Sequence, residues 1–394
     1  MKILILSDYF DNRGGAVGIA EAMARGLKQA GHDVSVIAAD QDKSLTGKRN
    51  ENGVNIYSIY SKYDLFWRAY ISLRNPQTVG EIKRIINKLK PDIIHAHNIH
   101  THLSYYSLKI AKQSGAKVFL TAHDVMLFHY GKLTEANYKV SVWQQIKRAG
   151  KTYNPFRNIA IRYYLRFVDK IFAVSNALKN ALNDNGIKNV EVVHNGIDAS
   201  DWVMDDDVAI QNFKEKYNIQ NKKIILFGGR LGWLKGGREI CLAMENVVKA
   251  VPDAILLLIG KVDSEVKEIL NFAVAAGWLS GDELKAAYHV ADVVVTPSIC
   301  FDSFPTINLE AMACSKPVIA TCFGGSREAV LDGETGYIVN PFNIEELAEK
   351  ITYLLKNPEI AKKFGEAGYE RVKKEFNLEK MVENYLNWYK KISK

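Results

Sequence analysis

A glycine-rich segment at residues 228–237 carries the two cations best placed to bind an anion. Arg230 and Lys235 stand five residues apart among five glycines. Arginine offers paired donors to phosphate oxygens and lysine a mobile point charge. The segment is not a Walker loop, because no Ser or Thr follows the lysine in the required frame. We therefore predict phosphate binding here, against the alternative of a solvated basic loop.

Two carboxylates, Asp302 and Glu310, lie eight residues apart in the segment 297–313. The pattern predicts Asp302 in the loop after a strand and Glu310 about one turn into the next helix, so that both can face one cleft. Carboxylates accept paired hydrogen bonds from vicinal hydroxyls, and the start of the helix offers free N–H groups to a diphosphate. Two acids at this spacing also fit a helix start with an exposed face.

Gly14 and Gly15 lie between the first predicted strand and the first predicted helix. Paired glycines allow positive φ and a close approach of backbone to ligand, and the helix start again suits an anion. A dinucleotide fingerprint, with Asp40 ending the second strand, is the first alternative, but the glycines at 14, 15 and 18 do not fit G-x-G-x-x-G. A tight turn without a ligand is the second.

Four histidines, His95, His97, His100 and His102, cluster in a way that suggests zinc. A strand would point His95 and His97 the same way, but no nearby cysteine or acid completes a ligand set. We predict no metal at this cluster, and we expect positions 98–102 to border the pocket of a second substrate.

The elements that must position these residues alternate between short β-branched runs and amphipathic stretches, which predicts βα units and parallel sheets. Predicted strands are Lys2–Ser7, Val34–Ala39, Val54–Ile59, Asp92–His97, Lys117–Thr121, Lys170–Val174, Val190–Val193, Lys223–Phe227, Ile255–Ile259, Val293–Thr296, Pro317–Thr321 and Tyr337–Val339. Predicted helices include Val17–Ala30, Gly237–Val251, Asp282–Val290, Thr306–Ala313, Ile344–Leu355 and Leu378–Lys391.

The same alternation predicts two domains. The acid-rich segment Asp198–Asp207 is interpreted as a linker between residues 1–197 and 198–376, and residues 377–394 are expected to cross back to the first domain. Two Rossmann-like, doubly wound α/β domains would face each other across a ligand cleft.

Composition narrows the class of protein. The chain has 394 residues, a net charge of +8 and four cysteines without metal-binding spacing. No uncharged apolar run is long enough to span a membrane, and the apolar start at residues 1–6 is too short for a signal peptide. We expect a cytoplasmic protein whose charge favours acidic partners.

Residues 130–170 are basic and aromatic. Contributors are Lys132, Lys139, Trp143, Lys147, Arg148, Lys151, Tyr153, Phe156, Arg157, Arg162, Tyr163, Tyr164 and Arg166. Ile161, Leu165 and Val168 share one helical face, with Arg162 and Arg166 beside them, which suits a helix lying on an anionic membrane. A core helix with a solvated basic edge is the alternative. Nucleic acid is not predicted, because no binding motif accompanies the charge.

Taken together, these segments resemble family 4 of the retaining glycosyltransferases, which have the GT-B fold. The resemblance runs through Gly14-Gly15, Gly31–Val34, Thr121–Asp124, Val174–Asn176, His194–Asp198, Gly229-Arg230, Lys235-Gly236, Ala291–Val293, Pro297-Ser298, Leu309–Ala313, Pro317–Ala320, Gly324-Gly325, Glu328, Gly333 and Gly336.

The resemblance implies a role for each candidate residue. Arg230 and Lys235 would bind the diphosphate of a nucleotide-sugar donor, Glu310 its ribose and Asp302 the transferred sugar. Further donor contacts would come from Gly14, Gly15, Phe304, Pro305 and Thr306, with His123 near the sugar. Two positions depart from the family pattern: Asp302 stands where Glu is usual, one methylene shorter, and Pro305 stands where Gly is frequent.

We therefore expect a retaining glycosyltransferase that needs no metal cofactor, since no Asp-x-Asp motif ends a strand and Asp205–Asp207 lies in the predicted linker. The expected acceptor is a lipid-linked glycan or other polysaccharide precursor, met at the inner face of the cell membrane. Alternatives are an epimerase or hydrolase of the same fold, an NAD-dependent oxidoreductase, and a non-enzymatic sugar- or lipid-binding scaffold.

Overall fold

Each half of the chain folds around its own mainly parallel β-sheet. The structure is a computed structural model and describes residues 1–11, 15–134, 139–228, 232–260 and 272–393, with Trp233 described by its backbone alone. The first unit comprises Met1–Leu133, Asn137–Gly196 and Leu378–Lys394, and the second comprises Ile197–Asn377 with Thr134–Ala136.

The sheet of the first unit has the strand order β3-β4-β2-β1-β5-β6-β7-β8 within the described residues. The strands are β1 (Lys2–Leu6), β2 (Asp33–Asp40), β3 (Gly47–Glu51), β4 (Val54–Tyr60), β5 (Ile93–Ala96), β6 (Lys117–Ala122), β7 (Lys170–Ala173) and β8 (Val190–Val192). Among the described strands of this sheet, only the edge strand β3 runs antiparallel to its neighbour. The order turns back between β1 and β5, which is where a doubly wound sheet opens a crevice at its carboxyl edge.

Helices cover this sheet. They are α1 (Gly15–Gln29), α2 (Arg68–Ile71), α3 (Pro76–Leu89), α4 (Tyr106–Gln113), α5 (Val142–Ala149), α6 (Arg157–Leu165) and α7 (Asn176–Asp184). Strand residues such as Leu4 and Ile5 are fully buried, as expected for a parallel sheet with helices on both faces.

The second unit repeats the plan with a parallel sheet of order β11-β10-β9-β12-β13-β14 in the described residues. Its strands are β9 (Lys223–Gly228), β10 (Ala254–Ile259), β11 (Ala273–Gly277), β12 (Val293–Thr296), β13 (Val318–Thr321) and β14 (Gly336–Val339). Its helices are α8 (Asp207–Lys216), α9 (Gly237–Ala250), α10 (Gly281–Val290), α11 (Thr306–Ala313), α12 (Ser326–Ala329), α13 (Ile344–Lys356) and α14 (Pro358–Glu375). Here the order turns back between β9 and β12.

The last helix, α15 (Leu378–Ser393), belongs to the first unit. Tyr385 and Tyr389 are fully buried there, and a Cβ on Gly26 of α1 would lie 2.6 Å from Val382. The absence of a side chain at Gly26 therefore lets α15 pack closely on α1.

The predicted α/β class with two parallel-sheet domains is confirmed. The segment Asp198–Asp207, interpreted as a linker, lies within the second unit. Its tryptophan, Trp202, stacks edge-on against Tyr288 at 5.3 Å between ring centroids, and the backbone carbonyl of Trp202 contacts His289 Nε2 at 2.9 Å. This segment is packed against α10.

Candidate functional site

The carboxyl ends of β9 and β12 bring together the two loops that carry the predicted donor-binding residues. Because these neighbouring strands flank the point where the sheet order turns back, their loops diverge and leave a crevice. Lys235 Nζ donates to Asp302 Oδ2, which also accepts a hydrogen bond from Ser298 Oγ at 3.1 Å. Sequence analysis did not predict this pairing of Lys235 with Asp302.

The charge of Lys235 is secured by its neighbour. Burial alone would lower the pKa of Lys235, but the Asp302 carboxylate holds that pKa above its ordinary value. The ammonium group is therefore charged at neutral pH. The side chain of Lys235 is 32% exposed and that of Asp302 is 13% exposed, so an anion can reach the cation without unfolding the loop.

Gly236 fixes the position of Lys235 against the loop that follows β12. Its φ is +80°, and a Cβ there would lie 2.0 Å from the carbonyl oxygen of Pro297. The backbone N–H of Ile299 donates to the carbonyl of Leu234 at 3.2 Å, on the same pair of loops. Only glycine allows both the left-handed backbone and this close approach.

A second glycine holds Asp302 from the other side. Gly324 has a φ of +73°, and a Cβ there would lie 2.1 Å from the carbonyl oxygen of Asp302. That carbonyl accepts a hydrogen bond from the backbone N–H of Gly325 at 2.8 Å. The main chain of Asp302 is therefore fixed on both sides.

The predicted residues Phe304, Pro305 and Thr306 form the start of α11. Pro305 is the N-cap residue, and no side chain caps the helix. The ring of Phe304 is buried and meets the ring of Phe376 edge-on, with 5.5 Å between ring centroids. The groups this segment can offer an anion are therefore backbone N–H groups of the first helical turn, while the Phe304 ring supports the loop from the core.

Glu310 lies one turn further along α11 and is held by a tyrosine that sequence analysis missed. Tyr288 Oη donates to Glu310 Oε2 at 2.6 Å. Burial raises the pKa of Glu310, although hydrogen bonds from Tyr288 and Thr306 lower it. The carboxylate is thus fixed beside the first turn of the helix.

The remaining predicted residues of the donor site are Gly14, Gly15 and Arg230. Gly14 and Arg230 lie outside the described residues. Gly15 begins α1 with a φ of +56°, and a Cβ at this position would meet nothing within 4 Å apart from its chain neighbours. Its backbone conformation, and not a close contact, therefore favours glycine.

His123 follows β6 in the first unit, beside His97, which follows β5. His123 Nε2 and His97 Nδ1 are 2.9 Å apart, and the two rings stack with centroids 5.2 Å apart. Burial lowers the pKa of His123 to about 4, the nearby Asp124 opposing this effect. At neutral pH, His123 is therefore an uncharged imidazole.

A small cavity lies against this histidine pair. Its lining includes His97, His100, Tyr105, His123 and Asp124. His100 Nε2 is 3.6 Å from Asp124 Oδ2, and burial lowers the pKa of His100 to about 4. Of the predicted positions 98–102, residues 98–100 thus border a polar recess.

The buried carboxylate of Asp8, which was not predicted from the sequence, organises the loop that follows β5. Asp8 accepts backbone hydrogen bonds from Thr101 at 2.6 Å, His102 at 2.8 Å and Leu103 at 2.7 Å. Burial raises the pKa of Asp8 to about 6, against the lowering effect of these three bonds. The signal in the sequence is weak: a single acid directly after an apolar strand.

The prediction that the helical face of Ile161, Leu165 and Val168 lies on a membrane is wrong. Ile161 is fully buried, so that face is the core face. Phe156, Ile159 and Tyr163 are exposed instead, as is Trp143 of α5.

Within the described residues, no helix is long and apolar enough to cross a membrane. In the same part of the chain, no cluster of three or more His, Cys, Asp or Glu side chains is placed to hold a metal.

Two known protein families match this chain, one in each half. The family described as Glycosyltransferase Family 4 matches residues 13–201, and the family described as Glycosyl transferases group 1 matches residues 209–371. An uncharacterized glycosyltransferase of Methanocaldococcus jannaschii is 28% identical over 91% of this chain and 90% of its own. N-acetyl-alpha-D-glucosaminyl L-malate synthase of Bacillus anthracis is 25% identical over 98% of this chain and 96% of its own.

Solved structures show the same fold. Sucrose-phosphate synthase from Thermosynechococcus elongatus has a TM-score of 0.79 at 20% identity, covering 99% of this chain and 98% of its own. Anabaena HepE in complex with UDP-glucose has a TM-score of 0.73 at 17% identity, covering 98% of this chain and 100% of its own.

Proposed function

We propose that this chain, a member of the group 1 glycosyltransferases, transfers the sugar of a UDP-sugar with retention of configuration and without a metal ion. The observation that carries this proposal is the charged Lys235, paired with Asp302 where the β9 and β12 loops meet. UDP is the first candidate because the structurally similar Anabaena protein binds UDP-glucose.

Each residue of the site has a proposed role. Lys235, the first turn of α11 and Arg230 would bind the diphosphate, and Glu310 would accept hydrogen bonds from the ribose hydroxyls. Asp302 would contact the transferred sugar. In the first unit, Gly14, Gly15 and His123 keep their predicted part in donor binding.

The chemistry follows from where charge develops. The bond between the anomeric carbon and the diphosphate breaks through an oxocarbenium-like state, and negative charge grows on the departing phosphate. Fixed donors already aimed at that charge give the largest electrostatic help. The Lys235 ammonium and the helix N–H groups supply it without a metal. In this proposal the acceptor hydroxyl attacks the face that the diphosphate leaves, and its proton passes to the departing phosphate oxygen, with no protein nucleophile.

Thermal unfolding in EDTA with UDP, GDP, ADP and their sugar conjugates tests the donor site. A ligand at a hundred times its Kd adds about 2.7 kcal/mol of stability. We expect one nucleotide to stabilise the protein, and Lys235→Ala and Arg230→Ala to abolish the shift. Lys216→Ala removes an exposed ion pair with Glu283 in the same unit and should leave the shift intact. Stabilisation only by NAD or by a metal would contradict the proposal.

Product analysis separates transfer from the rival reactions. Incubation of the bound sugar nucleotide with and without acceptor should give a new glycoside only when acceptor is present. An altered sugar on the nucleotide would indicate an epimerase, and free sugar a hydrolase. The anomeric configuration of the glycoside, read by NMR, tests retention, and an undiminished rate in EDTA tests metal independence.

For the acceptor we propose a lipid-linked glycan, met at an anionic membrane from the cytoplasmic side. The support is the α5–α6 surface, defined by the exposed residues Val142, Trp143, Phe156, Ile159 and Tyr163. Gln145 of α5 and Asn158 of α6 both donate to the carbonyl of Phe128, so the two helices are fixed to one loop.

Charge makes this surface suited to anionic lipid. Residues 139–168 contain seven basic and no acidic side chains. The exposed basic residues are Lys139, Lys147, Arg148, Lys151, Arg162 and Arg166. Exposed aromatic residues surrounded by lysine and arginine are typical of segments that lie in the lipid headgroup region.

Vesicle co-sedimentation tests the proposed surface. We expect binding to vesicles rich in phosphatidylglycerol and little binding to phosphatidylcholine alone. Trp143→Ser should weaken the binding, whereas Trp278→Ser, which removes another exposed tryptophan from the second unit, should not. Equal loss in both variants, or no binding by the unaltered protein, would contradict the membrane proposal.

A small acidic acceptor is the second candidate. The Bacillus anthracis relative is named for synthesis of an L-malate glycoside, and malate is a soluble dianion. A transfer assay with malate and sugar phosphates beside a lipid-linked acceptor decides between the two.

A further inference from the structure

The rings of His95, His97 and His123 form a continuous stack at the ends of two paired strands. His95 and His97 stack with centroids 4.7 Å apart and planes 25° apart, and His97 and His123 continue the stack at 27°. β5 and β6 are adjacent and parallel, so the residues that follow them are brought side by side.

The inner end of this stack is anchored in the core. His95 Nε2 is 2.8 Å from Thr121 Oγ1, and Thr121 Oγ1 is 3.1 Å from Tyr385 Oη of α15. Tyr389 Oη contacts His95 Nδ1. Because both ring nitrogens of His95 are engaged, the ring of His97 rests on a fixed surface.

The contact between His97 and His123 joins two uncharged rings, so that one ring must donate the hydrogen bond and the other must accept it. Burial lowers the pKa of His97 well below its ordinary value, and burial also lowers the pKa of His123. Two neutral imidazoles can share a hydrogen bond only if one nitrogen donates and the other accepts. The 2.9 Å bond between His97 Nδ1 and His123 Nε2 therefore has two alternative directions.

The second ring nitrogen of His97, Nε2, decides between the two directions of this hydrogen bond. His97 Nε2 is buried, and no hydrogen-bond partner for it exists among the described residues. If His97 accepted at Nδ1, its proton would reside on Nε2 as a buried N–H without an acceptor. If His97 donates at Nδ1, Nε2 carries only a lone pair. Orphaned buried N–H groups are the rarer case in proteins.

We propose that His97 is a positioning residue: its Nδ1–H donates to His123 Nε2 and holds His123 in the tautomer that carries its proton on Nδ1. His123 is thus set to act as a hydrogen-bond donor from Nδ1. This inference rests on the proposed function only in its consequence, which is that His123 donates to an oxygen of the transferred sugar.

The tautomer is measured directly in the ligand-free full chain labelled with 15N-histidine. Two-bond 1H–15N correlations distinguish a protonated ring nitrogen from an unprotonated one. We expect His123 to carry its proton on Nδ1 in the unaltered protein. We expect the same in His97→Asn, whose amide nitrogen occupies nearly the place of Nδ1 and can donate. His97→Leu, which cannot donate, should give a mixture of tautomers or the Nε2–H form.

His102→Asn is the matched control. His102 is another buried histidine of the first unit, bound to Ser61 Oγ and Tyr9 Oη, and its replacement should leave the His123 tautomer unchanged even if it lowers stability. A proton on Nε2 of His123 in the unaltered protein, or an unchanged tautomer in His97→Leu, would overturn the proposal.

Kinetics supply the second readout. Loss of one well-placed hydrogen bond should lower kcat/KM for the UDP-sugar about tenfold in His97→Leu, with the affinity for UDP alone unchanged. His97→Asn should recover most of the rate, and a rate as low as that of His97→Leu would count against the proposal. If His123→Ala transfers sugar at the full rate, the proposed place of His123 near the sugar fails, while the NMR result still decides the role of His97.

Discussion

The ammonium group of Lys235 is bonded to the carboxylate of Asp302, so the residue proposed to bind the diphosphate is paired with the residue proposed to contact the sugar. Ser298 Oγ donates to the same carboxylate oxygen at 3.1 Å. A donor diphosphate must therefore compete with Asp302 for the lysine. The Asp302 carboxylate, in turn, keeps one partner in Ser298 when the lysine is drawn toward phosphate.

Lys235→Ala should reduce turnover by about a hundredfold or more, because a fixed charge aimed at the leaving group is lost. The free energy of unfolding should fall by about 1–3 kcal/mol, the range for a lost hydrogen bond to a charged group, because the lysine is partly exposed and Ser298 keeps one hydrogen bond to Asp302. Steady-state rates and urea unfolding measure the two effects. Lys216→Ala is the control for removing an ion pair. A variant with full turnover would refute the diphosphate role.

Tyr288→Phe should weaken binding of the nucleotide and leave the fold intact. The ring keeps its edge-on contact with Trp202, but Glu310 loses the hydroxyl that orients it. We expect a rise in the Kd for UDP of about tenfold, measured by titration calorimetry. Tyr217→Phe, which removes a 3.4 Å contact to the carbonyl of Ala276 in the same unit, should leave the Kd unchanged. An unaltered Kd in Tyr288→Phe would contradict the proposed role of Glu310 in ribose binding.

Local patterns could predict most of the fold, because buried parallel strands and amphipathic helices leave strong periodic signals. β12 and α11 lie where their patterns predict. The edge strand β3 was not predicted, since Gly47–Glu51 contains no apolar side chain and is largely exposed. Helix α14 was also missed: only Phe364, Gly365, Gly368 and Val372 of its eighteen residues are buried, and two of these are glycines.

Individual residues of the candidate site could be predicted from the sequence, but the contacts between them could not. Lys235 and Asp302 are 67 positions apart and meet only because β9 and β12 are neighbours in the sheet. Tyr288 and Asp8 act through partners that the local sequence does not contain. The orientation of α6 could not be decided either, since residues with similar apolar character lie on both of its faces and only packing buries Ile161.

Gly236→Ala should impair both stability and donor binding. The alanine would require positive φ and would place its Cβ 2.0 Å from the carbonyl of Pro297. We expect a loss of at least about 2 kcal/mol in the free energy of unfolding, with the residual folded protein binding UDP poorly because Lys235 is displaced. Gly281→Ala is the matched control: its φ is +56° and nothing lies within 4 Å. A loss no larger than that of the control would show that the contact with Pro297 is unimportant.

The histidines of the first unit should make the protein sensitive to mild acid. Burial lowers the pKa of His95 to about 3 and of His100 and His123 to about 4, and burial lowers the pKa of His97 as well. In the unfolded chain these groups bind protons near pH 6.5. As the pH falls below that value, the unfolded state takes up protons that the folded state does not, so stability present above pH 6.5 is lost.

Asp8 acts in the opposite direction, and the balance can be calculated. Burial raises the pKa of Asp8 from 3.8 to about 6, so the folded state takes up a proton near pH 6, before the unfolded state does, and is stabilised by it. Four histidines, each losing about 1 kcal/mol, outweigh one carboxyl group that returns about 0.7 kcal/mol, and we expect a net loss of roughly 3 kcal/mol between pH 6.5 and pH 5.5. Urea unfolding at half-unit pH intervals measures it. His100→Asn should reduce the slope and Asp8→Asn should steepen it; a stability that stays level or rises toward pH 5.5 would show that these histidines are protonated in the folded state.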